Sequence, residues 1–313
     1  MPKKKATYAL IAGVSFSLSV LPGIAMATEF YTPMQPGVST GIPAGALPAD
    51  GLYGDVDTYF ESGTVKNGNG HDFGPKFNGS DITLQLLYVP GWHFLNARYG
   101  MWVAQPFNFN TTKVLGGASS PSAYTGYGMF NTIVTPEILS WNLGDNNFVS
   151  EGLSIYLPDG DYRHIGTTES ADSVSNNYWT FEPSIAYSYL GNGWNITLNN
   201  LVDFNTTDTA TDYHSGHLYY LDYTIAHDYG PFTIGLIGNY IKQFTEDTQF
   251  GKAVPNTGGT GGFGNEYMHA SIGPIFAYHL KEATLIFRFL YGFAGRNGGN
   301  PSFVHFGVSF PIK

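Results

Sequence analysis

The sequence predicts an all-β fold: a membrane-spanning, antiparallel, up-and-down β-barrel of about twelve strands. Three observations point there. Apolar and polar residues alternate through segment after segment, and the connections between segments alternate between tight and long. The composition is 16% aromatic and only 12% charged, with 40 glycines, whereas an ordinary globular domain carries about 25% charged residues.

Taken in chain order, residues 1–27 read as a secretory signal peptide. The triplet Lys3, Lys4, Lys5 precedes an apolar run from Tyr8 to Leu21, and Ala25, Met26, Ala27 supply an A-x-A exit. Cleavage is therefore expected before Thr28. The chain contains no cysteine, so an exported protein of this sequence is not held by disulfides and has no cysteine for zinc or iron-sulfur sites. Its 24 acidic residues face 14 basic ones, three of the latter in the leader. Such a surface repels nucleic acid, which is not expected as a partner.

Residues 28–50 (TEFYTPMQPGVSTGIPAGALPAD) are rich in proline and glycine and show no period. They read as an N-terminal arm, either a periplasmic tail or a plug of the lumen. Phe30, Tyr31, Met34, Val38, Ile42 and Leu47 would suit a narrow, apolar lumen.

Residues 51–313 carry the barrel. Strands are expected near 51–61, 80–89, 94–105, 126–139, 147–158, 177–190, 193–204, 216–227, 231–244, 265–280, 283–292 and 302–310. In WNITLNNLVDF, Trp194, Ile196, Leu198, Val202 and Phe204 share one face, while Asn195, Thr197, Asn199 and Asp203 share the other. Ile82, Leu84, Leu86 and Tyr88 likewise oppose Thr83 and Gln85. Leu285, Phe287, Phe289 and Tyr291 oppose Thr284 and Arg288.

The tight connections lie at Pro90, Ser140–Asn146, 191–193, 228–230 and His279–Glu282. The long ones are 63–79, 107–125, 158–176, 205–215, 245–265 and 293–301. Sorting of loop length by parity is the mark of an outer-membrane barrel, whose apolar face meets lipid and whose polar face lines the lumen. Tyr187, Tyr189, Trp194, Tyr219, Tyr223, Tyr229 and Phe232 fall at strand ends, where interfacial aromatic girdles sit.

LPADGLYGDVDTYFES, ITLQLLYVPGWHFLNARYGMW, GMFNTIVTPEILSW, YLPDGDY, NNYWTFEPSIAYSYL, TDYHSGHLYYLDY and SIGPIFAYHL follow one another along the chain. In these stretches the sequence resembles the outer-membrane proteins described as "meta-pathway of phenol degradation" proteins. The resemblance implies a transporter-like outer-membrane barrel associated with uptake of aromatic or other hydrophobic compounds. Outer-membrane strands usually finish on an aromatic residue, whereas here Phe310 is followed by Pro311, Ile312 and Lys313.

The period of two assigns Asp55, Asp57, Tyr59, Glu61, Gln85, Arg98, Trp102, Tyr178, Glu182, Asn199, Asp203, Asp222, Asn239, His269, Arg288 and His305 to the channel lining. Arg98 and Arg288 are expected to pair with lumen carboxylates, because a charge inside a barrel is costly unless paired or wet. His214 and His217 with Asp212 suggest a metal site, but two imidazoles on a loop lack the remaining ligands, and neither metal nor cofactor is expected. The glycine run from Gly258 reads as a loop, not a phosphate cradle. Asp159, Asp161, Glu246 and Asp247 read as solvated loop charge in preference to a divalent-ion site.

A hydrolase would draw on His164, His214, His217, Ser170 and Ser215 on loops, yet no spacing among them matches a nucleophile motif. The expected function is therefore an outer-membrane channel, not an enzyme, passing small hydrophobic or phenol-like solutes by diffusion. A structural or adhesive barrel is the alternative. Outer-membrane lipid, lipopolysaccharide, the barrel-assembly machinery and the solute are the expected partners.

Overall fold

The computed structural model describes Glu29 and residues 32–114, 122–163, 173–260 and 262–312. The expected leader, its cleavage point, Phe30, Tyr31, His164 and Ser170 lie outside these residues. Twelve antiparallel strands close a barrel: β1 (Gly51–Lys66), β2 (Asp72–Val89), β3 (Ala97–Val114), β4 in two pieces (Ser122–Met129 and Ile133–Gly144), β5 (Asn147–Tyr156), β6 (Thr180–Tyr189), β7 (Trp194–Asn205), β8 (Leu218–Tyr229), β9 (Phe232–Gln243), β10 (Met268–His279), β11 (Thr284–Arg296) and β12 (Gly298–Ile312). Each strand pairs with its sequence neighbour, and β12 returns to β1 from Leu52↔Ile312 to Lys66↔Gly298. Closure leaves no unpaired edge, which lipid would not tolerate. Among the described residues the helical turn is a single 3-10 turn, Thr257–Gly259.

The turn end is built from chemistry that tight hairpins require. Leu95 and Asn96, and again Asp145 and Asn146, have positive φ at both central positions, the geometry of two-residue type I′ turns. Gly230 at φ 63 precedes Pro231 in the two-residue link between Tyr229 and Phe232. These turns set register, and register decides which face of each strand looks outward.

The outward face is apolar. Val56, Phe60, Ile82, Leu84, Leu86, Leu198, Ile225, Leu236, Phe276, Leu285 and Phe306 are all exposed, while the alternate positions Asp57, Asp81, Thr83, Asn199, Asp222, Asn239 and Arg288 are buried. This inverts a soluble barrel and suits lipid outside with polar groups within.

The expected long connections 63–79, 107–125 and 293–301 are largely strand. β1, β2 and β3 run for 16, 18 and 18 residues, beyond the roughly 9–11 needed to cross a bilayer. The extensions continue at the loop end, past the length that a bilayer-crossing strand needs. The apolar alternation that marks the rest of each strand therefore stops there. The β1–β2 link shrinks to 67–71, and the β11–β12 link is Asn297 alone. Tyr178 falls inside the strand expected over 177–190 but just outside the observed one, because β6 begins at Thr180; it is buried nonetheless.

Placing a charge on the outward face is expected to be far costlier than placing one inside. Leu84→Arg and Leu198→Arg each lose about 2–4 kcal/mol of folding free energy, whereas Gln85→Arg, which faces the cavity beside Asp55, loses much less. Equilibrium unfolding in lipid vesicles measures the difference. Asn199 is unsuitable as the inward control, since it bonds the arm through Ser39.

Candidate functional site: the barrel lumen

The inward faces of β1, β2 and β3 align in cross-strand rows. Asp55 stands opposite Gln85 and Ala104, Asp57 opposite Thr83 and Pro106, Tyr59 opposite Asp81 and Asn108, and Glu61 opposite Gly79 and Asn110. A side chain at position 79 would strike Glu61 Oε1 and would meet Asn110 Oδ1 at 2.7 Å. Gly79 is therefore what lets Glu61 and Asn110 lean toward each other across β2. Asp81 belongs to this wall and is missing from the expected lining, although it shares the parity of Gln85.

Arg288 on β11 is the one buried guanidinium among the described residues. It pairs with Asp57 and donates to the carbonyls of Val38 (2.8 Å) and Thr40 (3.0 Å). Arg98 departs from expectation. At the turn-end rim it pairs with Asp50 at 2.8 Å, at the arm's exposed end, and donates to Leu47 and Pro48. Among the described residues, Asp55, Glu61, Asp81, Glu182, Asp203 and Asp222 form no ion pair.

On the opposite wall, Tyr156 donates to Glu182 at 3.1 Å, and Asp203 lies fully buried beside Glu182 and Tyr220. Asp222 accepts from the N–H and hydroxyl of Ser39, and Asn199 donates to that hydroxyl. Asn239 accepts from Ser271. Tyr59, Phe303 and His305 form a ring cluster that His269 joins through Phe303. Of the sixteen sequence-assigned positions, six lie on β1–β3 with Trp102 lowest, Arg98 stands at the rim, eight lie on β6–β12 with His305 beside Tyr59, and Tyr178 lies just before β6.

What separates the walls is the arm. Residues 32–50 run inside the barrel from the rim at Arg98 to the loop end. Met34 packs with Phe130, Tyr156, Leu201, Leu218, Tyr220, Ile241 and Tyr267, and Glu29 reaches Thr211 and Ser215. Between its rim contacts with Arg98 and its loop-end contacts with Thr211 and Ser215, the arm's hydrogen bonds to the barrel, including those with Ser140, Ser150, Ser188, Asn195 and Thr224, fall on β4–β8 and β11. A cavity of about 2520 Å³ remains in the lumen, lined by the arm and β1–β3 and also, where the arm leaves them uncovered, by Thr135, Ser154, Tyr156, Glu182 and Asn199 of the other wall. Its lining reaches from His279 and Lys281 at the turn end to Pro255 and Gly259 at the loop end.

A family described as "Putative MetA-pathway of phenol degradation" matches residues 62–303. The chain belongs to that family. The COG4313 outer membrane channel from Pseudomonas putida F1 has a similar structure, with TM-score 0.71 at 16% identity over 89% of this chain and 100% of that one. Lower similarity extends to the transport unit of the autotransporter AIDA-I from Escherichia coli (TM-score 0.49, 12% identity, 85% and 93% covered) and to the TodX monoaromatic hydrocarbon channel (TM-score 0.41, 10% identity, 87% and 93% covered). At these identities the likeness is one of fold. No curated protein matches the sequence.

The stretches shared with the MetA-pathway family turn out to be structural pins. Pro136 of TPEILSW sits where the β4 register slips against both β3 and β5, a bulge that needs no ladder donor. In PDGDY, Asp159 accepts from Thr132 N–H and Asp161 from Met129 N–H, at 2.8 and 2.7 Å, holding the break between the two pieces of β4. In YHSG, Tyr213 and the N–H of Gly216 both donate to Asp247 at 2.7 Å.

Asp247 is consequently not solvated charge. It is fully buried and also accepts from Gln243 and Asn265, tying the loops after β7 and β9 together. Those loops form a small four-stranded sheet of Thr207–Asp208, Tyr213–His214, Thr248–Gln249 and Lys252–Ala253. His214 and His217 pack edge to face, with His217 Nδ1 accepting from Asn205 N–H. Burial holds both rings below the ordinary histidine range. Among the described residues no group of three or more potential ligands is placed to hold a metal. Gly37–Gly41 spells G-x-S-x-G, but Ser39 donates to a carboxylate within the lumen and opens no helix, so it is no nucleophile elbow.

At the loop end, burial pushes the Glu29 carboxyl up to about 8, with Asp208 and Asp247 adding repulsion. A carboxyl raised in the folded state loses stability as pH climbs from the ordinary carboxylate range to that value and none beyond it. Glu29→Gln should therefore flatten the fall in folding stability between pH 5 and 8. Equilibrium unfolding across that range tests it, and an unchanged slope would remove Glu29 from the account.

Proposed function

We propose that this barrel lies in the bacterial outer membrane with its turns in the periplasm and passes small neutral aromatic or other apolar solutes by diffusion. The observation that carries the reading is the lumen cavity beside the arm, lined at both ends of the barrel. One side of it is the arm, whose Met34, Pro36, Val38, Ile42 and Leu47 are apolar. The other presents Asp55, Glu61, Asp81, Asn108 and Asn110. An apolar body finds a surface to lie against, and a hydroxyl finds acceptors.

Charge sorts the solutes. With carboxylates in excess of the single buried arginine, the local potential is negative and disfavours anions. A phenol, whose proton leaves near pH 10 as in tyrosine, is neutral at pH 7; benzoate is not. The family's link to phenol degradation supports the same solute class. The long loops, pinned over the lumen by Asp247, would then face the outside and restrict entry by size.

Uptake into vesicles bearing a lipopolysaccharide outer leaflet tests the reading. Labelled neutral aromatics should enter faster than into barrel-free vesicles, and benzoate and glucose should not. Reversal potentials in planar bilayers should show cation over anion preference, weakened in Glu61→Gln/Asp81→Asn. No acceleration of any solute would favour a structural barrel, and anion preference would contradict the assigned lining.

A further inference from the structure

The arm is held by its main chain. The N–H groups of Ser39, Gly41 and Gly45 donate to Asp222, Thr224 and Ser188 at 3.0, 2.7 and 2.9 Å. In return its carbonyls accept from the wall: Val38 and Thr40 from Arg288, Gly41 from Asn195, Ala44 from Ser150 and Gly45 from Ser140, all at 2.7–3.0 Å. These partners come from six different strands. Over residues 37–45 the one side chain that hydrogen-bonds the wall, among the described residues, is Ser39; Val38 adds an apolar contact, and Ile42 is exposed.

The segment is a chain of tight turns, closed by Val38 N–H to Gln35, Thr40 to Gly37, Ile42 to Ser39 and Ala46 to Pro43. Glycine recurs at every fourth position: Gly37, Gly41 and Gly45. Gly37 and Gly41 adopt φ of 74° and 86°, which L side chains rarely take, and a Cβ on either would collide with Leu290 or Ile275. At Gly45 the obstacle is backbone, with Ser188 N at 2.7 Å and Phe148 O at 2.9 Å. The wall thus requires glycine at three spaced points and, between them, hydrogen-bonds amide groups and one serine hydroxyl.

We propose that the wall formed by β4–β11 is a peptide-binding site whose partner class is a turn-forming Gly-x-Ser-x-Gly-x3-Gly segment, and that the arm occupies it as a separable ligand. The covalent tie passes through residues 48–50, which are exposed at the rim. Recognition of main chain by fixed side-chain donors and acceptors does not depend on that tie. A free peptide of the same spacing would compete for the site.

The test keeps the full chain. A protease site inserted between Pro48 and Ala49 is cut after folding, and the cleaved protein is passed through gel filtration in detergent. The arm should co-elute with the barrel and be displaced by a fluorescent peptide of residues 33–47. A Gly37→Ala/Gly41→Ala/Gly45→Ala chain should release its arm roughly tenfold faster or more, whereas Ile42→Ser/Ala46→Ser should retain it. Heat-modifiable gel mobility before cleavage reports folding, and Gly45→Ala alone serves if the triple variant does not fold. Loss of the wild-type arm as fast as the glycine variant's, or equal retention of both, would overturn the proposal.

Discussion

Everything in this molecule follows from the need to pair backbone N–H and C=O groups where no water can reach them. In a bilayer an open sheet edge leaves a row of such groups bare, so the sheet must close. Closure by a chain that alternates apolar with polar sends the apolar set outward and commits Asp57, Asp81, Asp203, Asp222 and Arg288 to the interior. Twelve strands then enclose more space than their own side chains fill, since about eight is the number at which side chains alone suffice. The interior becomes a second folding problem, solved here by the arm.

The arm solves it in a way that side chains could not. A polar lumen needs partners for its carboxylates, amides and hydroxyls, and a stretch of turns offers amide groups at close intervals. Asp222, Thr224, Ser188, Ser140, Ser150, Asn195 and Arg288 each find one. Met34 meanwhile gathers the apolar side chains of the loop-end half. Because these contacts gather on β4–β8 and β11, the β1–β3 wall is left facing the cavity, which only parts of the contacted wall also reach. The asymmetry of the lumen thus arises from which wall the arm covers, and the pins at Asp159, Asp161 and Asp247 hold the loop end toward which it runs.

Much of this is legible in the sequence, and the failures are instructive. All twelve strands can be read because lipid imposes a period of two on residues that face it. The loop-end parts of β1, β2 and β3 cannot, because beyond the bilayer that pressure ends while the hydrogen-bond ladder continues. Asp81 carries its signal openly, two residues from Thr83 and four from Gln85, yet it stands at the strand's edge, where Ile82 and Leu84 mark the other face more strongly. Asp247 carries none: an aspartate in a loop looks alike whether solvated or accepting four hydrogen bonds. The arm's path is equally hidden, since turns and glycines have no meaning until the wall they fit is known.

The central claim is that the β1–β3 wall is open to solute whereas the arm covers Thr224 and the wall positions around it. The chain has no cysteine, so a single one can be placed at will. The decisive measurement compares Gln85→Cys, on the β2 wall facing the cavity, with Thr224→Cys, behind the arm at Gly41. Each is exposed to a small cationic thiol reagent in a planar bilayer while current is recorded. The account predicts rapid modification and a fall in current at position 85, with position 224 unreactive. Equal reactivity at both positions, or modification at 224 alone, would contradict it.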